Sequence, residues 1–238
     1  MSIFKIKKHL LLLCIGTLVS LHCFSQDDTK DDGKQYPQHD LTPAPAPFEE
    51  VLYKGSIQGG GGIVYPVTNK ALRLTLNGVY NLHLCANYVF AQHILGGIEL
   101  ENTEFGSTAD VVPYSTTMGV YNVGLKIGYY TFMQNDFLFC YSLSGGPSLI
   151  KYTNAPNPAP KGGFRATSFF ITPSLLAAYR VNDQLRIGLE LTYGFIGYRF
   201  DPNYTGLEQF IGPVESSTIT TYFEWGFGLY WAFSEVKK

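Results

Sequence analysis

The sequence predicts an all-β fold, a closed antiparallel transmembrane β-barrel of about eight strands. Two observations carry the prediction. Apolar and polar side chains alternate over segments near ten residues long, the length of a tilted membrane-crossing strand. The composition points the same way. Of 238 residues only 15% are charged, against roughly 25% in a typical soluble domain, while 17 Tyr, 17 Phe and 25 Gly are present. The formal net charge of −2 argues against nucleic acid as a partner, since such proteins present basic surfaces.

The first strand is expected over residues 52–65, Gly-rich at Gly59 to Gly62. In residues 71–80, Leu72, Leu74, Leu76 and Tyr80 alternate with Arg73, Thr75 and Asn77. After a turn placed near Asn81, Leu82, Leu84, Ala86, Tyr88 and Phe90 form one face, opposed by His83, Cys85, Asn87 and Val89. The pattern repeats in residues 121–129, 137–144, 168–179, 185–195 and 222–233. A soluble sandwich alternates too, but its solvent face is strongly charged. Here the second face is Ser, Thr, Gly and Asn with a few charges, which suits a narrow, self-filled lumen. Large aromatics at strand ends (Tyr129, Phe137, Tyr179, Trp231 and Phe233) suit an interfacial girdle. Short turns at residues 132–136 and 181–183 alternate with long loops at 102–115, 153–163 and 201–216, as short periplasmic turns and long outer loops do. The connection at 66–70 is short for an outer loop. Pro147 and Pro173 each remove a ladder donor, so bulges are expected there.

Residues 1–25 read as a signal peptide: Lys5, Lys7 and Lys8 precede the apolar run 10–21, and Cys23-Phe24-Ser25 forms a small-x-small end. Lipidation at Cys23 is the alternative, although His22 stands where a lipobox wants a small residue. Residues 26–50, acidic and then Pro-rich, read as a disordered periplasmic arm. The barrel is assigned to 51–233 and a short tail to 234–238. Cys85 and Cys140 read as small interior residues on strands that are not ladder neighbours, so no routine cross-strand disulfide is expected.

Alternation points Lys54, Arg73, Lys126, Arg186, Glu190 and Glu224 into the lumen. Such charges can form a selective constriction. A salt-bridged plug is the simpler reading, because eight strands leave an interior barely wide enough for side chains. No catalytic motif is recognisable around His39, His83 or His93, the last expected near the outer rim. Gly59 to Gly62 lack the Lys-Ser/Thr of a phosphate loop. The expectation is therefore no enzyme, no cofactor and no metal.

Gly228, Trp231 and Phe233 look like the Gly-x-x-aromatic-x-aromatic signal read by the barrel-assembly machinery. With the paired segments 146–150 and 172–176, they make residues 52–233 resemble the small outer-membrane β-barrels common in Bacteroidota, related in architecture to OmpX, the OmpA barrel and PorT-like proteins. The resemblance implies an outer-membrane location and contact with outer-membrane lipid and lipopolysaccharide. It also implies the assembly machinery as a transient partner, and admits a role as subunit of a secretion or assembly complex. A narrow solute channel is the alternative, and a lipid A-modifying or proteolytic barrel enzyme a third reading.

Overall fold

A computed structural model describes residues 52–91, 93–107, 116–133, 136–153, 165–200 and 218–236. The segments expected to be signal peptide and arm, His39, the interiors of the three long loops and residues 237–238 lie outside them. Eight antiparallel strands close in sequence order: β1 (Leu52–Pro66), β2 (Leu76–Ala91), β3 (Ile94–Ser107), β4 (Thr117–Met133), β5 (Phe137–Thr153), β6 (Arg165–Arg180), β7 (Leu185–Ile196) and β8 (Thr220–Val236). β8 returns to pair with β1 from Leu52↔Val236 to Pro66↔Tyr222. Closure matters because an open edge would leave backbone donors and acceptors unsatisfied in an apolar medium.

The faces follow the period-two pattern. On β4, Tyr121, Val123, Leu125, Ile127 and Tyr129 are exposed, while Asn122, Gly124, Lys126, Gly128 and Tyr130 are buried. The same inversion runs along β8, with Phe223, Trp225, Phe227, Leu229 and Trp231 exposed and Tyr222, Glu224 and Tyr230 buried. Apolar side chains thus face outward and most polar ones inward, the reverse of a soluble domain. Aromatics bracket the outward face at both ends. At the end carrying the short turns, Phe137 meets Tyr179 edge-on at 5.1 Å between centroids, with Trp231 and Phe233 also exposed. At the loop end stand Tyr65, Tyr121, Phe169, Phe195 and Phe223.

Several expectations are corrected. Asn81 is no turn: β2 runs unbroken from Leu76 to Ala91, and the chain reverses between Ala91 and Ile94, which pair with each other. His93 adopts φ 67° there, so it lies at the turn end and not near the outer rim. Residues 70–75 form no strand. They make a short helix, α1 (Lys70–Thr75), begun by Asn69, whose side chain accepts from Leu72 N at 3.3 Å. Ala, Leu and Arg favour helix, and Thr75 Oγ1 donates back to Ala71 O at 2.8 Å. Pro147 and Pro173 make no bulge. The β5–β6 register runs continuously through Leu143↔Pro173 and Pro147↔Phe169. Successive strand residues bond to opposite neighbours, so each proline thins only one ladder: pairing lapses between Asn122↔Ser148 and Leu125↔Gly145, and between Ile171↔Phe195 and Ser174↔Thr192, with no shift. The register shifts fall instead in the β2–β3 ladder, at Gly78/Tyr80 and Val89/Ala91. Finally, β3 reaches Ser107 and β8 reaches Val236, so residues 102–107 are not loop and 234–236 are not tail.

The interior is filled in three layers. At the loop end, Ala71 and Leu72 of α1 pack into an apolar cluster with Val64, Leu76, Phe105, Met118, Ile150, Tyr152 and Tyr222. At the turn end, Leu95, Tyr130, Leu138, Cys140, Leu176 and Tyr230 form a second cluster. A charged band lies between them.

Candidate functional site

The band is built from inward positions of all eight strands, which period-two geometry delivers at one level of the barrel. Lys126 of β4 is its centre. Its ammonium lies 3.1 Å from Glu99 Oε2 of β3 and donates to Gln58 Oε1 of β1 at 3.2 Å. Ser144 Oγ donates to the same Glu99 oxygen at 2.9 Å. Gln58 Nε2 in turn donates to Glu190 Oε1 of β7 at 3.1 Å. His83 Nε2 of β2 lies 3.1 Å from Glu190 Oε2, a contact that is an ion pair when the imidazole is protonated. One continuous network therefore spans the lumen from Ser144 to His83.

Beside it, Glu101 collects donors from four directions. Asn122 Nδ2 reaches Oε2 at 2.8 Å. Asn81 Nδ2 reaches Oε1 at 2.5 Å, and Thr103 Oγ1 reaches it at 3.3 Å. Tyr222 OH donates to the same oxygen. Glu224, 2% exposed, is different: its Oε2 has no hydrogen-bond partner among the described residues. Four carboxylates thus share the band with one lysine and one histidine. Burial of such charges is tolerated when they are paired and hydrogen-bonded.

The space left is small. His83, Glu99, Glu101, Glu190, Glu224, Thr172, Ser174 and Thr192 line a cavity of about 10 Å³, near the room one water needs. Gly60 makes the close packing possible. A Cβ there would stand 2.6 Å from the His83 ring and 2.8 Å from Phe227 O. Gly60→Ala should therefore destabilise the barrel by roughly 1–3 kcal/mol through overpacking; chemical denaturation in detergent would measure it, and an unchanged midpoint would contradict this packing.

Of the six charges that alternation aimed inward, Lys126, Glu190 and Glu224 meet in the band. Arg186 is buried nearer the turn end, its guanidinium carbon 4.9 Å from the Phe132 ring centroid. Lys54 and Arg73 are corrected: both are exposed. Lys54 keeps the inward parity of Ser56 and Gln58 but stands at the end of β1, and Arg73 is carried outward by α1, donating to Val67 O at 3.4 Å. Glu99, Glu101 and Gln58 were missed. The run Ile98-Glu99-Leu100-Glu101 alternates as cleanly as any other, and reading it as a strand would have placed both carboxylates inside.

Cys85 and Cys140 are free and buried, on β2 and β5. Among the described residues no group of three or more His, Cys, Asp or Glu side chains is arranged to hold a metal ion. Gly228 is buried, with space for a Cβ closed by Leu176 and Glu190, while Trp231 and Phe233 face outward.

No family model matches the chain, and no curated protein sequence does. Among solved structures it is similar to Neisserial surface protein A, at 14% identity and a TM-score of 0.47, covering 78% of this chain and 100% of that one. Ail of Yersinia pestis, solved with the heparin analogue sucrose octasulfate, is similar at 13% identity and TM-score 0.45, over 75% of this chain and 97% of that one. OprG of Pseudomonas aeruginosa follows at 14% identity and TM-score 0.40, over 76% and 97%. These are small outer-membrane proteins.

Proposed function

We propose that the chain is an outer-membrane β-barrel with a plugged lumen, acting as a structural or interaction subunit through its outer wall, its loops and a periplasmic arm. The observation that carries this reading is the filled interior: two apolar layers enclose a charged band whose cavity measures about 10 Å³. Eight strands give an interior that side chains can fill completely. In this reading the charges hold the barrel together and do not select ions, and His83 performs no catalysis because the apolar layers keep substrate away. Gly228, Trp231 and Phe233 serve as the assembly signal, and a secretion or assembly complex is the setting that suits a non-conducting barrel.

Planar-bilayer recording tests the reading. Purified protein should insert without steady conductance; a reproducible, solute-sensitive current would replace the plug by the narrow-channel alternative. Copurification from native membranes in mild detergent should bring down a stoichiometric partner.

A further inference from the structure

We propose that the loop-end edge of the β5–β6 ladder binds the phosphate-bearing headgroup of an anionic membrane lipid, an inference that rests on the membrane-spanning reading above. The last pair of that ladder is Lys151↔Arg165. Both carry the outward parity of Leu149 and Phe169, so two cations stand directly opposite each other on the outer wall. Like charges so placed destabilise a sheet, and they are tolerated where an anion sits between them. The row continues through Gly119↔Lys151 and Glu104↔Gly119. Among the described residues Glu104 is the acid nearest in register, but it is one strand further away and already accepts from Tyr80 OH at 3.0 Å. Gly119 adds a notch beside Lys151. The Tyr121 ring covers it, with its hydroxyl 3.2 Å from where a Cβ would stand, which places a further hydrogen-bonding group in the row.

The surroundings choose a lipid over a soluble anion. Between the two rims, the outward strand positions among the described residues carry no charged side chain. The outward pair below the two cations is Leu149↔Thr167, and Pro147↔Phe169 follows, so the apolar face begins within two pairs of them. A headgroup phosphate held by Lys151 and Arg165 would therefore have its acyl chains against the wall. Basic residues at a membrane surface attract anionic lipid in this way, and arginine adds a forked contact to phosphate oxygens.

The test uses the full chain folded into phosphatidylcholine vesicles with and without diphosphoryl lipid A, extracted gently and weighed by native mass spectrometry. The wild-type protein should retain lipid A in preference to phosphatidylcholine. Lys151→Gln with Arg165→Gln should fold equally well in phosphatidylcholine and lose that retention roughly 30-fold, about five-fold for each basic residue. The charge-preserving exchange Lys151→Arg with Arg165→Lys should keep it. Equal retention by the wild type and the neutralised variant would overturn the proposal. So would thermal stabilisation of lipid-free protein by inorganic phosphate to the same extent as by lipid A. Failure of the wild type to insert into phosphatidylcholine at all would instead overturn the membrane-spanning reading beneath it.

Discussion

Lys126→Met should lower the stability of the folded barrel by about 3–5 kcal/mol, the usual cost of removing one partner from a buried ion pair. The lysine is the cation that Glu99 and Gln58 share, and its loss leaves the Glu99 carboxylate buried with Ser144 alone among the partners described. The double substitution Lys126→Met with Glu99→Met should recover most of the loss, because replacing a whole buried pair by apolar side chains is often neutral or stabilising. Urea unfolding in detergent micelles, followed by tryptophan fluorescence, measures all three proteins. If the double variant were as damaged as the single one, the pair would not be the unit of stabilisation, and the wider network through Glu190 and His83 would have to be.

Leu125→Arg is the second large effect. Leu125 is 73% exposed and stands midway between Tyr121 and Tyr129 on the outward face of β4, so it marks the middle of the apolar wall. An arginine at the bilayer midplane of a barrel costs about 2–4 kcal/mol, falling toward zero at the interfaces. Insertion into vesicles should therefore weaken by that amount for Leu125→Arg and much less for Thr117→Arg near the loop end. Equal costs at the two positions would remove the support that the wall gives to a membrane-spanning reading.

The outward faces of β4, β5, β6, β7 and β8 were legible in the sequence because a strand repeats every two residues. A run such as Phe223, Trp225, Phe227, Leu229 and Trp231 fixes its own parity without help from a neighbour. The short helix was not legible. Leu72, Leu74 and Leu76 alternate with Arg73 and Thr75 as a strand would, and what turns the segment into a helix is the left-handed Asn69 before it and the apolar mouth that receives Ala71 and Leu72. The proline bulges failed for a related reason: whether a missing donor disturbs a ladder depends on which neighbour it would have served, and that is a property of the assembled sheet. The band was half legible. Parity aimed Lys126, Glu190 and Glu224 inward, but contacts such as Lys126 to Gln58 join strands that are not neighbours. Register around the whole barrel sets them, and no local spacing records it.

The ladder between β1 and β8 joins the two ends of the barrel's chain, and this has a kinetic consequence. The last seam cannot form until the final strand has been made, and contacts of such long sequence separation slow folding. Until then both terminal strands present open edges, which invite pairing with other chains. On the lumen side the middle of that seam is bare at Gly60↔Gly228 and Gly62↔Gly226, flanked by Gln58↔Tyr230 and Val64↔Glu224. At its glycine pairs closure draws on backbone hydrogen bonds and the aromatic wall outside, while Gln58 joins Glu190 and Lys126 inside only as β1 and β8 zip together.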